Sequence, residues 1–538
     1  MHNALTHHSR YLASILTCCV LSAGSSEALE LRTFDADKHL RFLNFPSSPS
    51  HNNNFIHSSF DLSGVGWITS DTRRQHAMVS PIHFVGAYHF RPSIGSTLRF
   101  LSSDGVIKNS TVTSTINVPN NDGTASDLFI GTINEAITEG DNIAFHPYLN
   151  LSSEASYVNQ SIIVLGRTVL GGNGTIDTIK DAPATALNDS RVLAFKYSVT
   201  SGDDDDCFFE VGDSGSPVFV DQNGVAAIVG TNSLVATLDS GDILNLSNFI
   251  PTYVDELNTI MENSGYRMTK AIPGTTNLSL THTPPTSIIR AGHNLTLQLT
   301  LENTGQSPGG GPPTASDDTA ENIRLTSTFD NDVNTASTAG TLWFDQSDSA
   351  SNVASTRRAT ISNNDTTPLS ITFIPENSGL QNYTISHSSD QSSPISQTFS
   401  INVIDSFLSS FGDLVDPSPS GDDDQDGIPN LLEYAFGGNP TNSSRQTADG
   451  STPLLPTFSG TAGNNSISYV RRKDFIERAI TYQVTSSTDL TNNSFVDATS
   501  FITTTNTSSI NSELELVTHT LSSSEAKRFF RVEVELNE

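Results

Sequence analysis

The chain has 538 residues, too many for one hydrophobic core, so roughly three or four domains are expected. It carries 58 Asp+Glu against 27 Lys+Arg, a formal charge of −31, which excludes nucleic acid and anionic membrane surfaces as partners. Its 3 cysteines are too few for a disulfide scaffold, and abundant Ser, Thr and Asn suit loop-rich β-domains.

His7, His8 and Arg10 give a weak basic start, and residues 11–23 form an apolar stretch too short to span a bilayer. Ser26-Glu27-Ala28 offers the small residues of a cleavage site after Ala28. Residues 1–28 are therefore read as a secretory signal, and the mature protein is expected to be extracellular, free or attached to the cell surface. Cys18 and Cys19 fall inside this segment, but Thr17 stands where a lipid-attachment signal wants Gly or Ala. No later run is apolar enough for a membrane span. The mature chain keeps one thiol, Cys207, and can form no internal disulfide.

Residues 29–54 are polar and punctuated by Pro46, Pro49 and a run of Asn, the pattern of an extended arm. Regular structure begins at Gly64-Val65-Gly66-Trp67-Ile68. Residues 77–90 then predict strand, turn, strand and a small-residue bend, Gly86-Ala87-Tyr88, ending on His89. His76 and His83 are the competing imidazoles, and His83, at a strand entrance, is expected to face solvent. Asp127 opens the apolar strand Leu128-Phe129-Ile130-Gly131-Thr132-Ile133. Asp104, Asp122 and Asp141 each sit beside Gly or Asn and read as turn residues. Further strands are expected at 161–169, 191–199 and 226–231. Asp203 to Asp206 read as an exposed acidic loop. Between apolar runs at 207–211 and 217–220 lies the tight turn Gly212-Asp213-Ser214-Gly215-Ser216-Pro217. Phe249, Ile250, Tyr253, Val254, Leu257, Ile260 and Met261 then fall at helical spacing, with Gly265 at the end.

The turn around Ser214 resembles the nucleophile loop of chymotrypsin-like serine proteases, the trypsin family. The segment ending on His89 is similar to the one that carries the family's catalytic His, and Asp127 before an apolar strand resembles its acid. The order His89, Asp127, Ser214 is the chymotrypsin order. The resemblance covers about residues 60–270. It implies a double β-barrel over 29–270, with Ser214 as nucleophile, His89 as base and Asp127 as its orienting acid. The amides of Gly212 and Ser214 would form the oxyanion hole, each donor worth roughly 3–4 kcal/mol. Three departures stand out. No activation N-terminus of the Ile-Val-Gly-Gly type is recognisable to pair with Asp213, so Asp213 needs another partner. No disulfides brace the pocket. Phe208, not Asp, stands six residues before Ser214, so a preference for Lys or Arg substrates is unsupported.

From residue 271 to 405 strict alternation sets in, as in Asn294-Leu295-Thr296-Leu297-Gln298-Leu299-Thr300-Leu301, which predicts an immunoglobulin-like β-sandwich. Residues 307–318 are a Gly/Pro-rich loop within it. Residues 406–453 form a linker containing Asp422-Asp423-Asp424-Gln425-Asp426-Gly427-Ile428-Pro429-Asn430-Leu431-Leu432-Glu433. This fits the D-x-D-x-D-G-x5-E calcium pattern. Asp422, Asp424 and Asp426 offer alternating carboxylates, Ile428 its carbonyl, Asn430 a direct or water-mediated contact, and Glu433 a bidentate closure. The loop resembles the dockerin and thrombospondin-type loops of secreted bacterial proteins. One structural Ca²⁺, acting as a clip between domains, is expected, and no cofactor for catalysis. A last β-rich module occupies 454–538, with strands at 466–470, 480–486, 514–521 and 529–534. It resembles a C-terminal module that follows such loops in secreted bacterial proteins.

The fold class read from the sequence is thus mainly β: double barrel, sandwich, calcium loop and β-rich tail. The expected function is secreted serine endopeptidase, acting on protein or peptide substrates. The alternatives are an inactive protease fold used in extracellular binding or adhesion, and a matrix- or surface-binding role for residues 271–538.

Overall fold

A computed structural model describes the chain except residues 1–28, 183–189, 275, 286–288, 306–318, 331–332, 347–351, 408–413, 417, 462–463, 492–493, 523–526 and 538. The secretory signal therefore lies outside the described residues. The chain divides into two compact units, residues 1–274 and 275–538.

The first unit holds two closed six-stranded barrels. Around the first run Val65–Ile68, Asp71–Met78, His83–Ala87, Ala125–Ile133, Ile107–Pro119 and Thr97–Leu101. The second follows Ser161–Leu165, Gly171–Asp181, Arg191–Tyr197, Ile243–Phe249, Val225–Thr237 and Pro217–Gln222. Closure leaves no free edge, and bulges in the strands at 125–133 and 225–237 allow the bending it needs. Apolar side chains fill both interiors. Phe84, Phe100 and Phe129 are fully buried in the first, Phe195, Phe219 and Phe249 in the second, each stabilising by roughly 1.5–3 kcal/mol relative to exposure. After the last strand come a single turn, Ile250–Tyr253, and a helix, Val254–Met261, whose Val254, Leu257 and Met261 are buried. Gly265 in the left-handed region (φ 76°) ends it.

Residues 29–54 differ from the extended arm expected of them. Glu30–Leu31 pairs with Cys207–Phe208, Ala36–His39 forms one helical turn, and Phe42–Leu43 pairs with Ser50–His51. The acidic run explains part of this. It is not a free loop: Asp204 accepts from Thr33 Oγ1 (3.1 Å), and Asp205 meets His39 Nε2 (3.0 Å). The Arg32 guanidinium donates to the carbonyl of Ser198 (2.6 Å), and its backbone N–H to that of Asp206 (2.9 Å). Hydrogen bonds to the arm thus tie down Asp204 to Asp206.

In the second unit, two sheets of four and six strands enclose one core. The strand Leu295–Asn303 alternates buried and accessible residues as its sequence predicts. Two smaller sheets, of four and three strands, close the chain after residue 456. Among the described residues no helix is long and apolar enough to cross a membrane.

Candidate active site and acidic loop

Register places the first pair of groups. Strand His83–Ala87 pairs antiparallel with Ala125–Ile133, and Ala87 lies opposite Leu128. Asp127 precedes Leu128, and His89 follows Ala87 by two residues on a single 3-10 turn, Tyr88–Phe90. The two side chains therefore meet at the end of one strand pair. His89 Nδ1 lies 2.9 Å from both Asp127 carboxylate oxygens, and the His89 backbone N–H donates to Asp127 Oδ1 (3.0 Å). Asp127 is buried, whereas His89 keeps 47% of its side chain exposed.

The second barrel delivers Ser214. Gly212 (φ 105°) and Gly215 (φ 86°) take left-handed conformations that side chains resist, so the turn needs both glycines. Backbone bonds Gly215 N–H to Asn232 O (2.8 Å) and Asn232 N–H to Ser216 O (2.9 Å) pin the turn to the strand Val225–Thr237. Ser214 Oγ then stands 2.9 Å from His89 Nε2. The amides of Gly212 and Ser214 donate to no group among the described residues. Val211, beside them, is 83% exposed.

Three supports around Asp127 have no signature in the sequence. Ser233 Oγ donates to Asp127 Oδ2, Asn248 Nδ2 donates to its carbonyl (2.9 Å), and its amide donates to Ser190 Oγ (2.9 Å). Ser233 follows Asn232, so one strand holds both the nucleophile turn and the acid. A search for polar residues interrupting an apolar strand, Thr231-Asn232-Ser233, could have found it.

The competing residues go elsewhere. His76 is buried between Phe84 and Phe129, without a hydrogen-bond partner, and burial, then Arg74, pushes its pKa down to about 3. His83 does not face solvent as expected. It is 3% exposed, bonded to Ser80 Oγ (2.7 Å) and edge-on to Tyr266, because the helix end at Ser264 to Tyr266 folds over the strand entrance. Asp104, Asp122 and Asp141 bond within turns and to Lys108, and none contacts His89. Phe208 packs against Tyr197 with the rings tilted at 55° and their centroids 4.9 Å apart.

Asp213 is fully buried, and burial pushes its pKa up to about 6 against the pull of its hydrogen bonds and of Arg167. It accepts from the backbone N–H groups of Arg167 (2.8 Å) and Glu210 (2.7 Å). Leu29 packs close by: its Cβ and Asp213 Oδ1 each lie 2.8 Å from the place a Cβ on Gly166 would take. The partner that the sequence leaves open for Asp213 is thus backbone, the amides of Arg167 and Glu210. The arm escaped the sequence reading because Leu29-Glu30-Leu31 lacks the glycines of the family pattern, and strand pairing with Cys207–Phe208 carries it in instead.

In the second unit, Asp422, Asp424 and Asp426 bring carboxylate oxygens within 4.8 Å of one another. Gly427 (φ 87°) turns the loop, and Asp422 Oδ2 accepts its N–H (3.0 Å). Glu433 enters from the helix Asn430–Phe436, fully buried, with both carboxylate oxygens lacking a partner. Burial, then Asp424, Asp426 and Asp422, pushes its pKa up to about 8. Asp424 Oδ2 and Asp426 Oδ2 also lack partners. The three clustered Asp carboxylates, with unpartnered oxygens on Asp424, Asp426 and the nearby buried Glu433, are the kind of donors a hard divalent cation takes. Asn430 Oδ1 accepts from Asp423 N–H (3.2 Å) and its Nδ2 donates to Asp416 O (2.9 Å), which braces the loop.

Solved structures similar to this chain include the secreted serine protease VesC from Vibrio cholerae, at 9% identity, over 88% of this chain and 96% of that one, with a TM-score of 0.27. The VesB protease of Vibrio cholerae matches at 11% identity over 63% and 95%, TM-score 0.26. Neuropsin, a serine protease of mouse brain, matches at 14% over 38% and 96%, TM-score 0.28. No protein-family model and no curated protein matches the sequence.

Proposed function

We propose that the chain is a secreted serine endopeptidase that hydrolyses peptide bonds through an acyl-enzyme. The observation that carries this reading is the continuous path Asp127–His89–Ser214, with the imidazole 2.9 Å from the hydroxyl. Ser214 Oγ attacks the peptide carbonyl while His89 Nε2 takes its proton. His89 then gives that proton to the leaving amine, and a water repeats the sequence to free the enzyme. Asp127 fixes the tautomer with the proton on Nδ1 and stabilises the imidazolium. Its own charge is held by Ser233 and the His89 amide. The free amides of Gly212 and Ser214 serve the oxyanion. A fluorophosphonate probe should label the protein, and Ser214→Ala should abolish both labelling and casein digestion. An intact protein that never labels overturns the reading.

Asp422, Asp424, Asp426 and Glu433, with the carbonyl of Ile428, hold one structural Ca²⁺ in the second unit. The orphaned carboxylate oxygens and the burial of Glu433 support this. The ion supplies charge neutralisation there and takes no part in the chemistry at Ser214.

A further inference from the structure

The chain from Arg41 to Ser63 folds around a cavity of about 360 Å³, closed by Ser103 between two strands of the first barrel. Neither Ser214, His89 nor Asp127 lines it. Phe42, Phe55 and Phe60 give it an aromatic wall, and Ser58 and Ser59 stand exposed at its mouth. Arg41 also lines it, 4% exposed. Arg41 Nη1 donates to Leu62 O (3.2 Å) and Nη2 to Gln75 Oε1 (3.3 Å), both at the long end for such bonds, and Nε has no partner. The Phe42 ring covers one face of the guanidinium, its centroid 4.3 Å from Cζ. Burial pushes the Arg41 pKa down to about 9, and among the described residues no neighbouring carboxylate pulls it back up. Asp61, the acid on the wall, accepts from Ser63 N–H instead (3.0 Å). Two imidazoles complete the polar lining. His51 Nε2 meets Ser102 O (2.8 Å), and His57, which burial pushes down to about 4, is neutral at pH 7.

A guanidinium keeps its charge when buried, and the loss of hydration is tolerated when an opposite charge or full hydrogen bonding offsets it. Arg41 has an aromatic face and two long bonds to neutral oxygens, and no anion among its partners. We propose that this cavity is a binding site for a small organic carboxylate, with its oxygens on the Nε edge of Arg41 and its apolar body against Phe55 and Phe60. The guanidinium edge matches a carboxylate in charge and in planar geometry, and such bonds are about twice as strong as neutral ones. The volume is that of a small-ligand pocket, where an apolar lining carries a few placed polar groups. An inorganic anion would leave the aromatic wall unused. Free organic acids and the C-terminal carboxylate of a peptide share the required chemistry. Binding here is independent of the chemistry at Ser214.

The test is calorimetric titration of the purified full chain at fixed ionic strength with acetate, N-acetylalanine, its uncharged amide, and phosphate. N-acetylalanine should bind at one site per chain and the amide should not. Tighter binding of N-acetylalanine than of acetate identifies a peptide terminus as the source, and the reverse a free acid. Arg41→Gln should weaken binding by roughly tenfold or more, the loss of one hydrogen bond between charged groups. Ser58→Glu sets a like charge at the mouth on an exposed residue and should weaken binding too, so it decides alone if Arg41→Gln does not fold. Saturating N-acetylalanine should raise the melting temperature of the first unit in the parent and not in either variant. An amide that binds as well as the acid overturns the proposal, as does phosphate binding as tightly as acetate. Binding that both variants leave unchanged places the ligand elsewhere and overturns it, and so does the absence of binding by every probe.

Discussion

Ser233 ranks behind the three reacting groups but ties them to the second barrel. Its hydroxyl donates to Oδ2 of the buried Asp127 carboxylate, an oxygen that His89 Nδ1 also approaches. A hydrogen bond to a charged group contributes about 1.5–3 kcal/mol, and part of that here goes into holding the Asp127 carboxylate in position. Ser233→Ala should therefore lower kcat by about tenfold with KM little changed, whereas Ser214→Ala should leave no measurable turnover. Steady-state kinetics on one peptide substrate separate the two. A Ser233→Ala enzyme as fast as its parent would remove that hydroxyl from the working site. Ser214, His89 and Asp127 were legible because each carries local context: a glycine-bounded turn, a small-residue bend, an acid opening an apolar strand. Ser233, Asn248 and Leu29 were not, because their contacts depend on strand register between segments far apart in the chain.

At the scale of elements, three of the imidazoles buried in the first unit are shifted by that burial. Burial pushes His57 and His146 down to about 4 and His76 to about 3. Their native pKa values lie below the unfolded value of about 6.5, so below that pH the unfolded chain binds protons the native chain refuses. Stability is full above pH 6.5 and lost as pH falls from there toward 4, by up to about 1.4 kcal/mol per pH unit for each imidazole. Asp213, with its native value raised to about 6, works in the opposite sense and offsets one of the three. Thermal unfolding should show the melting temperature of the first unit dropping through that window. His76→Leu should make the drop shallower, and an unchanged slope would mean the ring is not buried neutral. The strands themselves were unequally legible. Leu295–Asn303 alternates and was plain. The 13-residue strand Ile107–Pro119 is rich in Asn, Ser and Thr and largely accessible, and Ile243–Phe249 buries Asn245, Ser247 and Asn248. Neither has the apolar period that marks a strand in isolation.

The calcium-type loop is joined to its own unit through its helix. Arg472 Nε donates to Tyr434 O (2.7 Å), Tyr482 OH donates to Ala435 O (2.6 Å), and Gly437 leaves room for Leu514. Glu433 lies just before these contacts on the helix Asn430–Phe436. Asp422, Asp424 and Asp426 hold their carboxylates within 4.8 Å of one another, and the proposed Ca²⁺ would turn that repulsion into coordination. Chelator should lower the melting temperature of the second unit, and Ca²⁺ at a hundred times its Kd should restore about 2.7 kcal/mol. In Glu433→Gln that response should shrink sharply.

At the scale of the whole molecule, two compact units divide the chemistry between them. Ser214, His89, Asp127 and Asp213 all belong to residues 1–274, and the acidic loop to residues 275–538. A ligand stabilises only the cooperative unit that binds it. Calorimetry of the full chain should thus resolve two transitions with separate handles. Fluorophosphonate attached at Ser214 should shift one and leave the other in place. Ca²⁺ and chelator should move the second alone, and peptide hydrolysis measured well below both transitions should be indifferent to chelator. If chelation abolished hydrolysis at a temperature where the first transition had not begun, the two units would be one thermodynamic body. The loop would then act on Ser214 through the fold, and the second unit would have a regulatory role.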